Sequence, residues 1–142
     1  MIVGGALPRK KFVNKTLPGQ FYRLPVTFVR SISFMNLSYH GKRLFLDMLS
    51  KYNGFNNGDL SFTWRQAKIH GWKSKQTHEK AIKELLKHKI LIKTRQGGKN
   101  KCCLYALTLY AIDDVKGKFD HGIKATTTPT GGWSTAISPA FL

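Results

Sequence analysis

The sequence predicts an α+β fold in which helices precede a β-hairpin, and three observations carry that prediction. Apolar residues recur at three- and four-residue spacing after Ser38 and again after Ser74, two serines suited to cap helices. Glycine and asparagine gather just beyond the first of these runs, where a helix must stop. Past Lys89 the pattern changes to two short apolar runs around a Gly-rich connection, which marks a hairpin.

Residues 1–20 mix Gly4, Gly5, Pro8, Pro18 and Gly19 with Arg9, Lys10, Lys11 and Lys15, and are expected to form a flexible basic arm. From Phe21 apolar and polar residues alternate, and Pro25 is preset for the first turn of a short helix through about Arg30. The helix after Ser38 turns Leu44, Phe45, Met48, Leu49 and Tyr52 to one side; Asn53-Gly54 stops it, and Asn56-Asn57-Gly58 extends the turn. Leu60, Phe62 and Trp64 alternate with Ser61 and Thr63 as a short strand. Thr63 and Gln66 have the spacing of a capping box, opening a brief helix through His70 that Gly71 ends. Ser74 opens the last helix, Lys75 to about Lys89, with Ala81, Ile82, Leu85 and Leu86 as its apolar stripe. Ile90–Thr94 and Cys103–Leu109 are expected strands, joined by a tip at residues 96–101. Periodicity fades after Asp113-Asp114. The folded domain is therefore placed at 21–114, and 115–142, which contains the Thr/Gly/Pro-rich stretch 126–132, is expected to be a mobile tail.

Composition limits what such a domain does. The 142 residues are 42% hydrophobic, with nine Phe, five Tyr and three Trp, enough for a packed core. Against 7 acidic residues stand 24 Lys and Arg, a net charge of +17, and eight cations precede the first acid, Asp47. Self-repulsion on that scale opposes compaction unless a polyanion neutralises it, and nucleic acid is the commonest one. A membrane surface asks instead for an amphipathic helix with a basic polar face or a lipidation signal, and neither is read here. No run approaches the ~18 apolar residues of a membrane span, and the basic cluster follows rather than precedes the apolar start, unlike a secretory signal. Cys102 and Cys103 are adjacent and point to opposite faces of a strand, so no disulfide framework is expected and a reducing cytoplasm is the natural compartment.

The order helix, short strand, short helix, tight turn, longer helix, hairpin is that of a winged helix-turn-helix with a three-helix core. In that arrangement the helix after the turn offers its first residues to the major groove, and phosphate contacts supply much of the affinity. Ten cations against two acids, Glu79 and Glu84, lie between Trp72 and Lys101. The expected contact set is Lys73, Ser74, Lys75, Gln76, Thr77, Lys80 and Lys83 on the helix, with Arg95, Lys99 and Lys101 on the wing. Gln76 is the foremost base reader, because an amide pairs bidentately with adenine.

From Phe21 to about Asp113 the chain resembles winged helix-turn-helix proteins of phages, plasmids and integrated elements. The residues that carry the resemblance are Tyr22-Arg23-Leu24-Pro25, Asn36-Leu37-Ser38, the run Lys51-Tyr52-Asn53-Gly54-Phe55-Asn56-Asn57-Gly58, and Lys80-Ala81-Ile82-Lys83-Glu84-Leu85. Such proteins often place Gly near the end of the recognition helix, where this chain has Lys89. The resemblance implies DNA binding, and the expected role is a sequence-specific transcriptional regulator of a mobile element. A DNA- or RNA-binding subunit of a replication, reverse-transcriptase or defence assembly is the alternative. A homodimer, or a protein partner held by the C-terminal tail, would widen the contact.

Other chemistries fare worse. His40, His70, His78, His88 and His121 offer ligand atoms, yet no Cys-x-x-Cys or His-x-x-x-His spacing builds a closed zinc site. Few carboxylates and no glycine-rich phosphate loop leave no cofactor and no enzyme expected. Trp64 and Trp72 suit stacking on bases, but core packing beneath the last helices is the preferred reading.

Overall fold

A computed structural model describes residues 16–142. Most of the expected basic arm, residues 1–15, lies outside the described residues. The described chain is a small α+β fold of five α-helices and a two-stranded antiparallel sheet.

Two helices were expected before residue 60, and three are found. Pro25 opens α1 (Val26–Val29), as anticipated, but Ser31 then accepts the Phe34 N–H and starts a further one-turn helix, α2 (Ile32–Met35). Helix α3 (Tyr39–Leu49) begins where Ser38 accepts the Gly41 N–H. Leu44, Phe45 and Met48 are wholly buried on its inner face. The expected strand at 60–64 shrinks to a single bridge, in which Leu60 and Tyr105 exchange both backbone hydrogen bonds. Thr63 instead caps α4 (Trp64–Ile69), and its capping box with Gln66 is complete.

Gly71, at φ 92°, closes α4. The Trp72 N–H reaches the Ala67 carbonyl and the Gly71 N–H that of Lys68, a Schellman pair. Helix α5 (Lys75–Lys87) follows. It ends in the same way, with Ile90 bonded back to Leu85 and Lys89 to Leu86. Here the left-handed residue is Lys89 rather than glycine, at φ 61°. Strands β1 (Leu91–Arg95) and β2 (Leu104–Leu107) then pair, with Leu91 opposite Leu107 and a register shift between Lys93 and Arg95.

Residues 115–142, expected as a tail, are laid along the domain. The Asp120 N–H donates to the Thr94 carbonyl, Thr126 to Ile112 and Gly131 to Thr108. Ile137 bridges Ser31, and the Ser134 N–H donates to Ser33 Oγ. Trp133 meets the fully buried Phe28 edge-on at 5.0 Å, joining a cluster with Phe34 and Phe45. The half-buried Trp133 ring and these spaced backbone hydrogen bonds together anchor the Thr/Gly/Pro-rich segment. Among the described residues, no helix is long and apolar enough to cross a membrane.

Candidate nucleic-acid interface

The site is built on α5 and the turn before it. Asp47 on α3 holds that turn: its carboxylate accepts the Trp72 indole N–H at 2.7 Å and lies 3.3 Å from His70 Nδ1. Arg43, one helical turn earlier, donates to the His70 carbonyl and stacks over Trp72 at 4.8 Å. Trp72 is buried, so the turn cannot swing without pulling an indole from the core. This rigidly mounts the start of α5.

His78, Ala81 and Leu85 are the buried face of α5. At 100° per residue, Gln76, Lys80, Lys83 and Lys87 fall within an arc roughly 60° wide, directly opposite that face. All four are exposed. Lys73, Ser74 and Lys75 lie exposed at the helix entrance, whereas Thr77 is half-buried. Ser74 Oγ is occupied in part as the cap, accepting the Thr77 N–H at 3.2 Å. The structure thus brings Gln76, Lys80 and Lys83 together on one surface and adds Lys87.

Beside this arc runs an open groove of about 660 Å³ between α5 and the start of α3, lined by Asn36, His40, Thr77, Lys80, Lys83 and Lys87 among others. Its floor is locked by Glu84, which accepts the Ser38 N–H at 2.8 Å and the Ser38 hydroxyl at 2.7 Å. One of the two acids in this region therefore faces α3 rather than the cationic arc. His40 and Asn36 were invisible to sequence reasoning because they reach the groove only through packing of α3 on α5. Lys87 was legible, since it stands one turn beyond Lys83.

The hairpin residues separate into two groups. Lys99 and Lys101 are exposed at the tip, which Gly98 and Lys101 close by exchanging backbone hydrogen bonds. Arg95 turns inward: its Nη2 donates to the Cys102 carbonyl at 2.9 Å and its Nε to the same oxygen at 3.3 Å. It braces the hairpin and stands apart from the outward-facing cations. Among the described residues, the Lys and Arg salt bridges are Arg43 with Asp47 and Lys118 with Asp59, so no lysine or arginine between residues 73 and 101 is in a salt bridge. A surface of this kind attracts polyanions through unscreened charge over about 8–10 Å at moderate salt. No group of three or more His, Cys, Asp or Glu among the described residues is placed to hold a metal ion. No protein-family profile, curated protein or solved structure matches this chain.

Proposed function

We propose that the chain is a winged helix-turn-helix protein that binds duplex DNA and regulates transcription from a mobile genetic element. The observation that carries this reading is the outward arc of α5, where Gln76, Lys80, Lys83 and Lys87 stand exposed with no acid paired to them. An α-helix fits the major groove of B-DNA. Helix α5 enters it, Gln76 meets a base edge, and Lys80, Lys83 and Lys87 neutralise phosphates along the wall. Helix α4, with Arg65 and Lys68 exposed, crosses the backbone, and Lys99 and Lys101 at the tip of the β1–β2 wing grip the adjacent groove. The alternative of an assembly subunit docking through its C-terminal segment has less support, because Trp133 and Ile137 engage the domain itself.

Titration of the purified protein against DNA upstream of its own gene tests the proposal, with scrambled duplex of equal length as reference. A preference of at least 10³-fold is the usual margin for a specific regulator. Equal affinity for both duplexes overturns the regulatory reading.

A further inference from the structure

At the other end of α3 from the cationic groove lies a second cleft of about 540 Å³, lined by Phe21, Tyr22, Arg23, Tyr52, Asn53 and Tyr110 among others. None of these residues belongs to α4, α5 or the wing strands. We infer that this cleft binds a nucleotide, its base against the aromatic rings and its phosphate near Arg23.

Three features point to that chemistry. Tyr52 and Tyr110 stack on each other at 4.7 Å with planes 23° apart, a fixed aromatic pair that borders the cleft. Phe21 and Tyr22 form the rim and remain 78% and 43% exposed. The extended segment that carries them is tied down, because the Tyr110 hydroxyl donates to the Arg23 carbonyl at 2.9 Å. Exposed rings on a fixed backbone are suited to receive a planar ligand, which every base offers on both faces.

Asn53 supplies the polar edge. Its Oδ1 accepts the Phe55 N–H at 2.8 Å, and its own N–H donates to Asn56 Oδ1 at 2.9 Å, so the side-chain amide is held in place. Its NH2 group has no acceptor among the described residues. A fixed, unused amide donor suits the ring nitrogen or carbonyl acceptors of a base. Arg23 and the net charge of +17 favour a phosphorylated ligand over a neutral aromatic one.

The nucleotide has two sources, a free mononucleotide or an unstacked base of a bound strand. The test is aromatic-ring NMR on the full chain, titrated separately with AMP, GMP, CMP, UMP, a single-stranded oligonucleotide and ribose 5-phosphate. Nucleotides or the oligonucleotide should shift the ring signals of Phe21, Tyr22, Tyr52 and Tyr110, and ribose 5-phosphate should not. Response to mononucleotides marks a free ligand; response to the oligonucleotide alone marks a strand, and both support the inference. Phe21→Ala, at an exposed position that leaves the core intact, should weaken binding about 5-fold to 150-fold. Asn53→Ala should weaken it in the same direction. Equal shifts with ribose 5-phosphate, no shift with any base-containing probe, or unchanged affinity in Phe21→Ala overturn the inference. Because the cleft shares no residue with α5, duplex binding by Phe21→Ala should remain unchanged, so this result stands or falls separately from the regulatory reading.

Discussion

The side-chain amide of Asn57 pairs with the backbone of Leu107 as a neighbouring strand would. Asn57 Oδ1 accepts the Leu107 N–H at 2.7 Å, and its Nδ2 donates to the Leu107 carbonyl at 2.9 Å. The same Nδ2 faces the carbonyls of Tyr110 and Ala111 at 3.1 and 2.9 Å. Asn57 is fully buried, and its backbone exchanges two further bonds with Asp113. A single side chain thus continues the Leu60–Tyr105 pairing and fastens the loop after α3 to the end of β2.

Asn57→Asp should therefore be severe. It replaces an NH2 donor with an oxygen facing three carbonyls, so a charge or an unpaired acceptor is buried. A loss of more than about 3 kcal/mol follows, and Asn57→Ala should cost about 2–4 kcal/mol. Urea unfolding monitored by tryptophan fluorescence measures both; a loss below about 1 kcal/mol for Asn57→Asp contradicts the hub.

Lys89 presents the opposite opportunity. It closes α5 in the left-handed region, which disfavours side chains by about 1–2 kcal/mol relative to glycine. Lys89→Gly should stabilise the domain by about 1 kcal/mol after its greater unfolded-state entropy is subtracted. Lys89→Val should destabilise it, since a β-branched residue tolerates positive φ worst. A midpoint that fails to rise for Lys89→Gly argues against that backbone.

The elements legible in the sequence share a local cause. Ser38, Thr63 and Ser74 each cap a helix within three residues, and Gly71 closes α4 within five, so short windows contain the whole interaction. The α5 arc was readable for the same reason: its period is set by the helix alone. Glu84 and Ser38 are 46 positions apart, and Asn57 meets Leu107 across 50, so nothing near either residue announces the pairing. Trp133 and Ile137 were missed for a different reason. Trp133 follows a Thr/Gly/Pro-rich stretch and Ile137 stands in a short Ala/Ser/Pro stretch, neither with a helix or strand repeat to count, and only the surface left open at Phe28 and Ser31 gives them a destination.

Gly41 and Glu84 should behave non-additively. Alanine in a helix is favoured over glycine by about 1 kcal/mol, but a Cβ at Gly41 would overlap Glu84 Oε1. Gly41→Ala alone must displace the carboxylate from Ser38 and forfeit two hydrogen bonds, which offsets the helix gain. With Glu84→Ala already present, Gly41→Ala should stabilise by about 1 kcal/mol. A double-mutant cycle by chemical denaturation reads the coupling; a cycle that closes additively removes Glu84 from the α3 cap.

His78 should make the fold acid-sensitive. It is buried inside α5, its Nε2 donates to the Phe62 carbonyl at 2.9 Å, and its Nδ1 has no partner. Burial lowers its pKa from the ordinary 6.5, against weaker opposing effects of the Phe62 carbonyl and Glu79. The unfolded chain then binds a proton more readily than the folded one. Stability from this residue is present above about pH 6.5 and declines as pH falls below it, by at most about 1.4 kcal/mol per unit. His78→Gln keeps a donor for Phe62 but does not titrate. Between pH 7 and 5 its unfolding free energy should fall less steeply than that of the parent; parallel curves would remove His78 as the cause.

The position of a charge can be separated from the total amount of charge. Lys83→Glu and Lys124→Glu change the net charge equally, and both lysines are exposed, but only Lys83 lies on the α5 arc. If the arc faces phosphates, Lys83→Glu should weaken duplex binding more than about 10-fold. It should also reduce the magnitude of the log–log salt slope by about 0.9 for each phosphate no longer neutralised. Lys124→Glu alters only the distant field, which about 0.15 M salt screens beyond roughly 8 Å, so its affinity should stay within about threefold of the parent. Equal losses in the two proteins would mean that the +17 charge acts as a diffuse cloud, and the oriented helix would no longer explain binding.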